Sequence, residues 1–419
     1  MMVNATTTVL IATFSPWKSG QRLPINGNVE PMLDFFVPKV GKTVLIDQPY
    51  TGSDMVMPRI EVYEKRRRVG VFSSSFWMYV LYPLLMATNY EGTQIPFKLR
   101  DFFSVIDWAA REKKPIDIFI GFEAMNALAG ILLKRLGKIN SVVYYVSDYT
   151  PMRYKQPWFN SLYLWLDRFC AMHADWIWDV SPAMQPARIA AGLKKKLSAP
   201  ELHVPNALYP KQIHAEHLDQ TIPYSLVFMG TLGSDNGPDL AVAAMPDVVK
   251  KFPQSKLHIV GGTGADVGRL QQLAKSLSIQ DSVIFHGFVS DREEISKIIR
   301  RFRLALAPYV ARPGSGRWYG DATKIRAYMA AGLPTITTPV PPLGQEIAQF
   351  GAGVIAQDNA KAIARAIVRV FSDAAGYRRL RKRAIQFSKN NTWENEFRKA
   401  FLAMEKRGKS QLHRREMIQ

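Results

Sequence analysis

Residues 307–334 read APYVARPGSGRWYGDATKIRAYMAAGLP. The apolar run 304–307 has the makeup of a buried strand, and Pro308-Tyr309 ends it. A loop rich in Gly, Pro and Arg follows over 311–320. Residues 321–331 are spaced as a helix, and Gly332-Leu333-Pro334 stops it. Thr335-Ile336-Thr337 resumes as a strand. Strand, loop, helix and strand in this order form one unit of a parallel sheet. The loop and helix start then lie at the sheet's carboxyl edge, where ligands of such sheets bind. A helix start offers free backbone N–H groups and a positive dipole end, which suit a phosphate. Lys324 adds a full charge in the first turn, and Arg312 and Arg317 add two more from the loop. The stretch reads as a pocket for the diphosphate of a nucleotide-linked donor. It reads equally as a basic, solvated loop before an ordinary amphipathic helix.

The chain has 419 residues, more than one ordinary core serves, so two α/β domains are expected. Hydrophobic content of 47% with 21% charged residues describes a globular protein. The one cysteine, Cys170, excludes an internal disulfide and fits a reducing compartment. A net charge of +20 predicts attraction to polyanions: nucleic acid, anionic lipid or phosphorylated substrates. Residues 1–4 carry no basic region, so no secretory signal is read. The apolar run 76–87 is interrupted by Pro83 and is shorter than the roughly 18 residues a spanning helix needs. Glu64-Lys65-Arg66-Arg67-Arg68 lies just ahead of the aromatic-rich run Phe76 to Tyr82. That pairing has the makeup of an interfacial membrane contact. A buried helix with a solvated flank has the same makeup.

Strands are predicted over 7–12, 43–46, 116–120, 142–146 and 176–180, with 202–206 closing the first half. Helices are predicted from near Val29, over 122–136 and over 162–172. Residues 142–146 are wholly apolar, so this strand is expected to be buried on both faces. Ser147-Asp148 follows it and places a carboxylate at the carboxyl edge of the first sheet. In the second half, strands are predicted over 225–229, 256–260, 283–285, 304–307, 335–337 and 351–355. Helices are predicted over 240–251, 293–302, 360–371 and, strongly basic, 377–406. The tail from Arg407 is polar and is expected to fray.

Val227-Phe228-Met229-Gly230, Leu257 to Gly261, Ile284 to Val289 and Tyr328-Met329-Ala330-Ala331-Gly332-Leu333-Pro334 follow one another in a recognisable order and spacing. This ordered set resembles the donor-binding domain of GT-B glycosyltransferases. The resemblance implies an α/β chain of two Rossmann-like domains facing a cleft. Residues 1–205 would bind the acceptor, 206–390 the nucleotide sugar, and 391–419 would supply a helix crossing back to the first domain and a polar tail. Tyr145-Val146-Ser147-Asp148 and Ser181-Pro182-Ala183-Met184, with the placement of Tyr309 and Lys324, look most like the membrane-associated β-glucuronosyltransferases of xanthan synthesis. Two departures bear on mechanism. Tyr319 and Ala327 occupy the positions of the Glu-x7-Glu pair of retaining relatives, and Ser147 stands where those relatives place a His. Both losses favour an inverting enzyme.

Inverting sugar transfer needs a general base for the acceptor hydroxyl and a group to stabilise the departing diphosphate. Asp148 is the candidate base; a turn or cap aspartate is the plainer reading of the same residue. For the donor, the resemblance implies Gly230 and Thr231 against the phosphates, Phe288 and Val289 beside the base, and Tyr309, Arg312, Asp321 and Lys324 around the diphosphate. The donor is expected to be UDP-linked, and the acceptor a saccharide or lipid-linked saccharide of cell-surface polysaccharide synthesis. No Asp-x-Asp motif occurs, so neither metal nor cofactor is expected. The expected setting is cytoplasmic, peripheral on an anionic membrane surface, without nucleic acid. A sugar-nucleotide epimerase on the same fold and a non-catalytic polyanion-binding protein are the alternatives.

Overall fold

The computed structural model describes residues 3–23, 28–91, 93–312 and 314–416. It divides into two compact units, one of Met1–Pro205 with Glu396–Gln419 and one of Asn206–Asn395.

The first unit runs β1 (Thr8–Ser15), β2 (Trp17–Lys18), β3 (Gln21–Arg22), α1 (Val29–Phe36), β4 (Lys42–Pro49), β5 (Arg59–Glu64), β6 (Arg67–Phe72), α2 (Phe76–Met86), α3 (Ile95–Arg111), β7 (Ile116–Phe122), α4 (Glu123–Arg135), β8 (Ile139–Val146), α5 (Pro157–His173), β9 (Trp176–Asp179), α6 (Met184–Ala190) and β10 (Glu201–His203). Eight strands pair in the order β10-β9-β8-β7-β1-β4-β5-β6. The stretch from β10 to β4 is parallel, and β5 and β6 return antiparallel. Seven of the eight β8 residues are buried, as its apolar run requires of a strand covered on both faces.

The charge run beginning at Glu64 is a hairpin turn. Lys65 and Arg66 take φ of 48° and 67° between β5 and β6. Two-residue hairpin turns of this hand usually carry Asn or Gly, so lysine and arginine here concealed the hairpin from a reading of local chemistry. Helix α3 likewise lay outside the sequence expectations.

The second unit runs β11 (Ser225–Met229), α7 (Pro238–Lys251), β12 (Lys256–Val260), α8 (Gly264–Ser276), β13 (Val283–Gly287), α9 (Arg292–Ile299), β14 (Leu304–Ala307), α10 (Thr323–Ala330), β15 (Thr335–Thr337), α11 (Pro342–Gln349), β16 (Gly353–Ile355), α12 (Ala360–Ser372) and α13 (Ala374–Asn390). Its six strands are all parallel, in the order β13-β12-β11-β14-β15-β16. Alternate residues serve opposite faces of this sheet. Phe228, Leu257, Ile259 and Leu306 join one core cluster, and Val227, Ala305, Ala307 and Tyr328 join the other.

The basic helix expected over 377–406 is two helices, α13 and α14 (Trp393–Glu416). Between them the backbone turns aside to the segment around Leu208. Leu208 N donates to Asn391 O, and Trp393 N donates to Leu208 O at 3.1 Å. Where fraying was expected from Arg407, the backbone stays helical to Glu416, and residues 417–419 lie outside the described residues.

Helix α14 carries Phe397 and Phe401 into the first unit. Phe397 lies 5.2 Å from Phe35 and 6.1 Å from Trp178 between ring centres, and Phe401 lies 5.5 Å from both Phe36 and Trp178. Offset and edge-to-face rings at these spacings add to simple burial. Phe397→Ala is therefore expected to destabilise the first unit by about 3–5 kcal/mol. Urea unfolding followed by Trp178 fluorescence measures this, and a loss below about 1 kcal/mol would remove the helix from that core.

Candidate functional site

In the second unit the chain builds β11, β12 and β13 outward in one direction, then returns to place β14 on the other side of β11. This reversal leaves a crevice beyond the carboxyl ends of β11 and β14, since their following loops turn away from each other. Gly230 follows β11, and Pro308-Tyr309 follows β14. Tyr328 of α10 fixes the end of β11, where Met229 N donates to its hydroxyl at 2.6 Å. Gly230 has φ of 124°, outside the range of ordinary side-chain-bearing residues. A Cβ there would come within 3.5 Å of the Lys324 ammonium, so the absent side chain opens the approach to that charge.

Lys324 Nζ is the most consequential atom of this crevice. It is shielded from solvent, and no described atom accepts a hydrogen bond from it. It lies 4.5 Å from the ring centre of Phe228 and 4.8 Å from that of Tyr309. Two ring faces attract a cation but accept none of its three donors in line. Burial, and then the positive charge of Arg317, push its pKa down to about 7. A buried ammonium lacking an acceptor, at the start of a helix, offers a strong site for an anion.

The other sequence candidates differ in their surroundings. Tyr309 is buried; burial pushes its phenol well above its ordinary range, so it is a neutral hydrogen-bonding group. Arg312 is half exposed and paired with Asp235 at 3.1 Å, and Arg317 faces the Tyr309 ring. Thr231 is held by Asn236, whose amide donates to its carbonyl at 3.0 Å and its hydroxyl at 2.5 Å. Phe288 is 70% exposed just beyond β13, and its neighbour Val289 packs on the core. Asp321 turns inward instead. Its carboxylate accepts from Arg326 at 2.9 and 3.0 Å and from Asn206 N at 3.0 Å, so it ties α10 to the start of this unit.

In the first unit the reversal lies between β1 and β7, with β8 beyond β7. Asp148 follows β8 with its side chain 62% exposed, and its Oδ2 lies 3.2 Å from Arg153 Nη1. The same guanidinium donates to Asp148 O at 2.7 Å. Both neighbours of Asp148 are anchored. Ser147 Oγ donates to Glu123 at 2.7 Å, and the Tyr149 ring is buried 4.9 Å from the Arg188 guanidinium. Arg188 is in turn buried between Asp167 and Asp179, at 3.0 and 2.5 Å. Asp148 is thus an exposed carboxylate on a rigid backbone. Glu123 and Arg153 went unnoticed in the sequence because each acquires meaning only through partners 24 and 5 residues away. Among the described residues no three His, Cys, Asp or Glu side chains are grouped to hold a metal ion.

Comparison with known proteins agrees with this architecture. Residues 211–387 match the family model for Glycosyl transferases group 1. A mannosylfructose-phosphate synthase of Agrobacterium fabrum is 32% identical over 117 residues, 26% of this chain, and the match spans about a quarter (24%) of that relative's length. The structure of Anabaena HepE in complex with UDP superposes with a TM-score of 0.62 at 14% identity, over 95% of this chain and 100% of that one. Sucrose-phosphate synthase from Thermosynechococcus elongatus superposes with a TM-score of 0.64 at 16% identity, over 96% and 98%. An E. coli trehalose-6-phosphate structure bound with UDP-2-fluoro glucose gives 0.63 at 13%, over 95% and 98%. The fold is GT-B, an α/β chain with parallel sheets.

The buried lysine yields a prediction with a definite sign. Unfolded, Lys324 titrates near its ordinary 10.5; folded, burial brings it down to about 7. Between these values the unfolded chain holds the proton and the folded one does not. The cost of burying the charge is therefore complete below pH 7 and fades as pH rises toward 10.5. Lys324→Met should stabilise the protein by up to about 5 kcal/mol below pH 7, at roughly 1.4 kcal/mol per unit of pKa. It should also abolish binding of inorganic pyrophosphate. Thermal unfolding at pH 6 and pH 10 with calorimetric titration of pyrophosphate tests both; a destabilised variant that still binds would remove Lys324 from an anion site.

Proposed function

We propose that this GT-B protein is a glycosyltransferase that moves a sugar from a UDP-linked donor to a saccharide acceptor carried on a lipid, with inversion at the anomeric carbon. The observation that carries the reading is Lys324, a shielded ammonium from which no described atom accepts a hydrogen bond, beside Gly230 at the strand reversal of the second unit. A diphosphate supplies the acceptors that this ammonium lacks. The family match over 211–387, and two similar structures that hold UDP and UDP-2-fluoro glucose, support a nucleotide sugar as the ligand.

In the proposed step the acceptor oxygen attacks the anomeric carbon. The bond from that carbon to the β-phosphate oxygen breaks, and the acceptor's proton passes to the Asp148 carboxylate. Charge then gathers on the departing UDP. Lys324 and the amides opening α10 neutralise it, with Arg317 and Arg312 adding long-range attraction. Tyr309 donates to the diphosphate, and Gly230-Thr231 lets the backbone approach it. The exposed Phe288, with Val289, flanks the uracil ring. The Ser147-Asp148 pattern of the xanthan-type resemblance supports inversion. Lys324→Ala should weaken UDP binding by about 1.5–3 kcal/mol, the range for a charged hydrogen bond. Asp148→Asn should abolish transfer and leave UDP affinity nearly unchanged, because Asn keeps the shape and cannot take the proton. Retained turnover in that variant would reject Asp148 as the base.

The same reading places the enzyme on an anionic membrane surface facing the cytoplasm. No described helix is long and apolar enough to cross a membrane. Instead α2 exposes Phe76 (81%), Val80 (56%) and Leu84 (66%), which share one helix face at a spacing of four. Four residues ahead of α2 ends β6, with exposed Val69 and Val71, and the hairpin turn Lys65-Arg66 precedes it. Apolar side chains flanked by cations suit a bilayer carrying acidic headgroups. Co-sedimentation with vesicles should require anionic lipid and fall as salt rises. Binding to neutral vesicles at high salt with equal strength would overturn the contact. Radiolabelled UDP-sugar given with membrane lipid should pass label to the lipid; release of an epimerised sugar nucleotide would mean an epimerase.

A further inference from the structure

Glu123 occupies an unusual place for an acidic residue. It is the first residue of α4, and β7 ends at Phe122 immediately before it, so strand meets helix with no intervening loop. The turn is made by Glu123 itself, at φ of 63°. A side-chain-bearing residue in this region is strained, and such strain persists where the surroundings enforce it. Two features enforce it here. Gly121 admits the close approach of α4, since a Cβ there would lie 2.9 Å from both Asn126 C and Ala127 N. Asn126 then donates its amide to Phe122 O at 2.9 Å and exchanges hydrogen bonds with Gln48 at 2.7 and 2.9 Å. The elbow stands where the first sheet reverses, at the carboxyl end of β7 between β1 and β8.

This geometry displays the Glu123 carboxylate at the sheet edge, where it accepts from Ser147 Oγ at 2.7 Å and Ser147 N at 3.3 Å. Arg153, Asp148 and Lys98 are the charged groups that face it, and burial with the Asp148 charge raises its pKa against the pull of Arg153. Resting on the glycosyltransferase reading above, we propose that Glu123 is a positioning residue of the transfer site: it clamps Ser147 and shares Arg153 with Asp148, so that the Asp148 carboxylate is held ready for the acceptor's proton. A residue needed only for the fold would be better served at this turn by glycine, which takes a left-handed backbone without strain.

Glycine therefore separates the two roles. Glu123→Gly should keep or raise the thermal midpoint, leave UDP affinity within about twofold, and lower kcat by about 100-fold, the scale of a small misplacement of a reacting group. Amide exchange at Ser147 should quicken in this variant. Glu123→Gln keeps the hydrogen-bond acceptor and removes a charge that faces Asp148, so the acid limb of its pH–rate profile should move to lower pH. Ser147→Ala, which leaves the elbow intact, should lower kcat by about 5–10-fold, the scale of one hydrogen bond, with UDP affinity unchanged. Wild-type kcat in Glu123→Gly overturns the proposal. So does a Glu123→Gly that unfolds while Ser147→Ala keeps full turnover, because the elbow would then be structural. Turnover in Asp148→Asn with loss in Glu123→Gly would also overturn it, since Glu123 would not be acting through Asp148. A wild-type protein that neither binds UDP nor transfers sugar would overturn the functional reading alone; Ser147 exchange in Glu123→Gly reads the clamp independently of activity.

Discussion

A parallel sheet that grows outward from one strand and then returns to grow the other way leaves a crevice at the reversal, and both units of this protein are built around that constraint. In the second unit the reversal between β11 and β14 brings Gly230, Tyr309 and Lys324 together from segments nearly a hundred residues apart. In the first, the reversal between β1 and β7 puts Glu123 at the edge, with Ser147 and Asp148 just past the end of β8, the next strand over. Loops that turn away from one another leave room there for a ligand.

The two edges differ in charge and in how they hold it. The second unit sets the Lys324 ammonium against two aromatic rings, and no described atom accepts a hydrogen bond from it, an arrangement that costs stability. The first unit holds its carboxylates in an ordered set of partners. Arg153 serves Asp148, Ser147 serves Glu123, and Arg188, pinned between Asp167 and Asp179, supports Tyr149 on the far side.

Much of this was legible locally. Parallel strands covered on both faces read as unbroken apolar runs, so 142–146, 225–229 and 304–307 announced themselves. Lys324 could be singled out because a lysine in the first turn of a helix after a Gly-rich loop is already an anion signal. Other elements were concealed by chemistry that usually means something else. The β5–β6 hairpin turns through Lys65-Arg66, where glycine or asparagine is the usual marker. The break between α13 and α14 has no proline, and Leu208 bonds into it from far along the chain. Asp321, a donor candidate in the sequence, spends its carboxylate on Arg326 and Asn206.

The alternation of strands and helices, the presence of two α/β units, and the order of segments that reach the carboxyl edge of each sheet follow from the residues in order. These depend on periodicity and on residues a few positions apart, which the chain carries locally. Only the tertiary structure decided which charges have partners. Whether Lys324 meets a carboxylate or two ring faces depends on strand order, and how Asp148 is held depends on Arg153 beside it and on a glutamate that fixes Ser147 from a strained elbow. Burial and pairing set the strength of a charge, and both arise from contacts between residues distant in sequence.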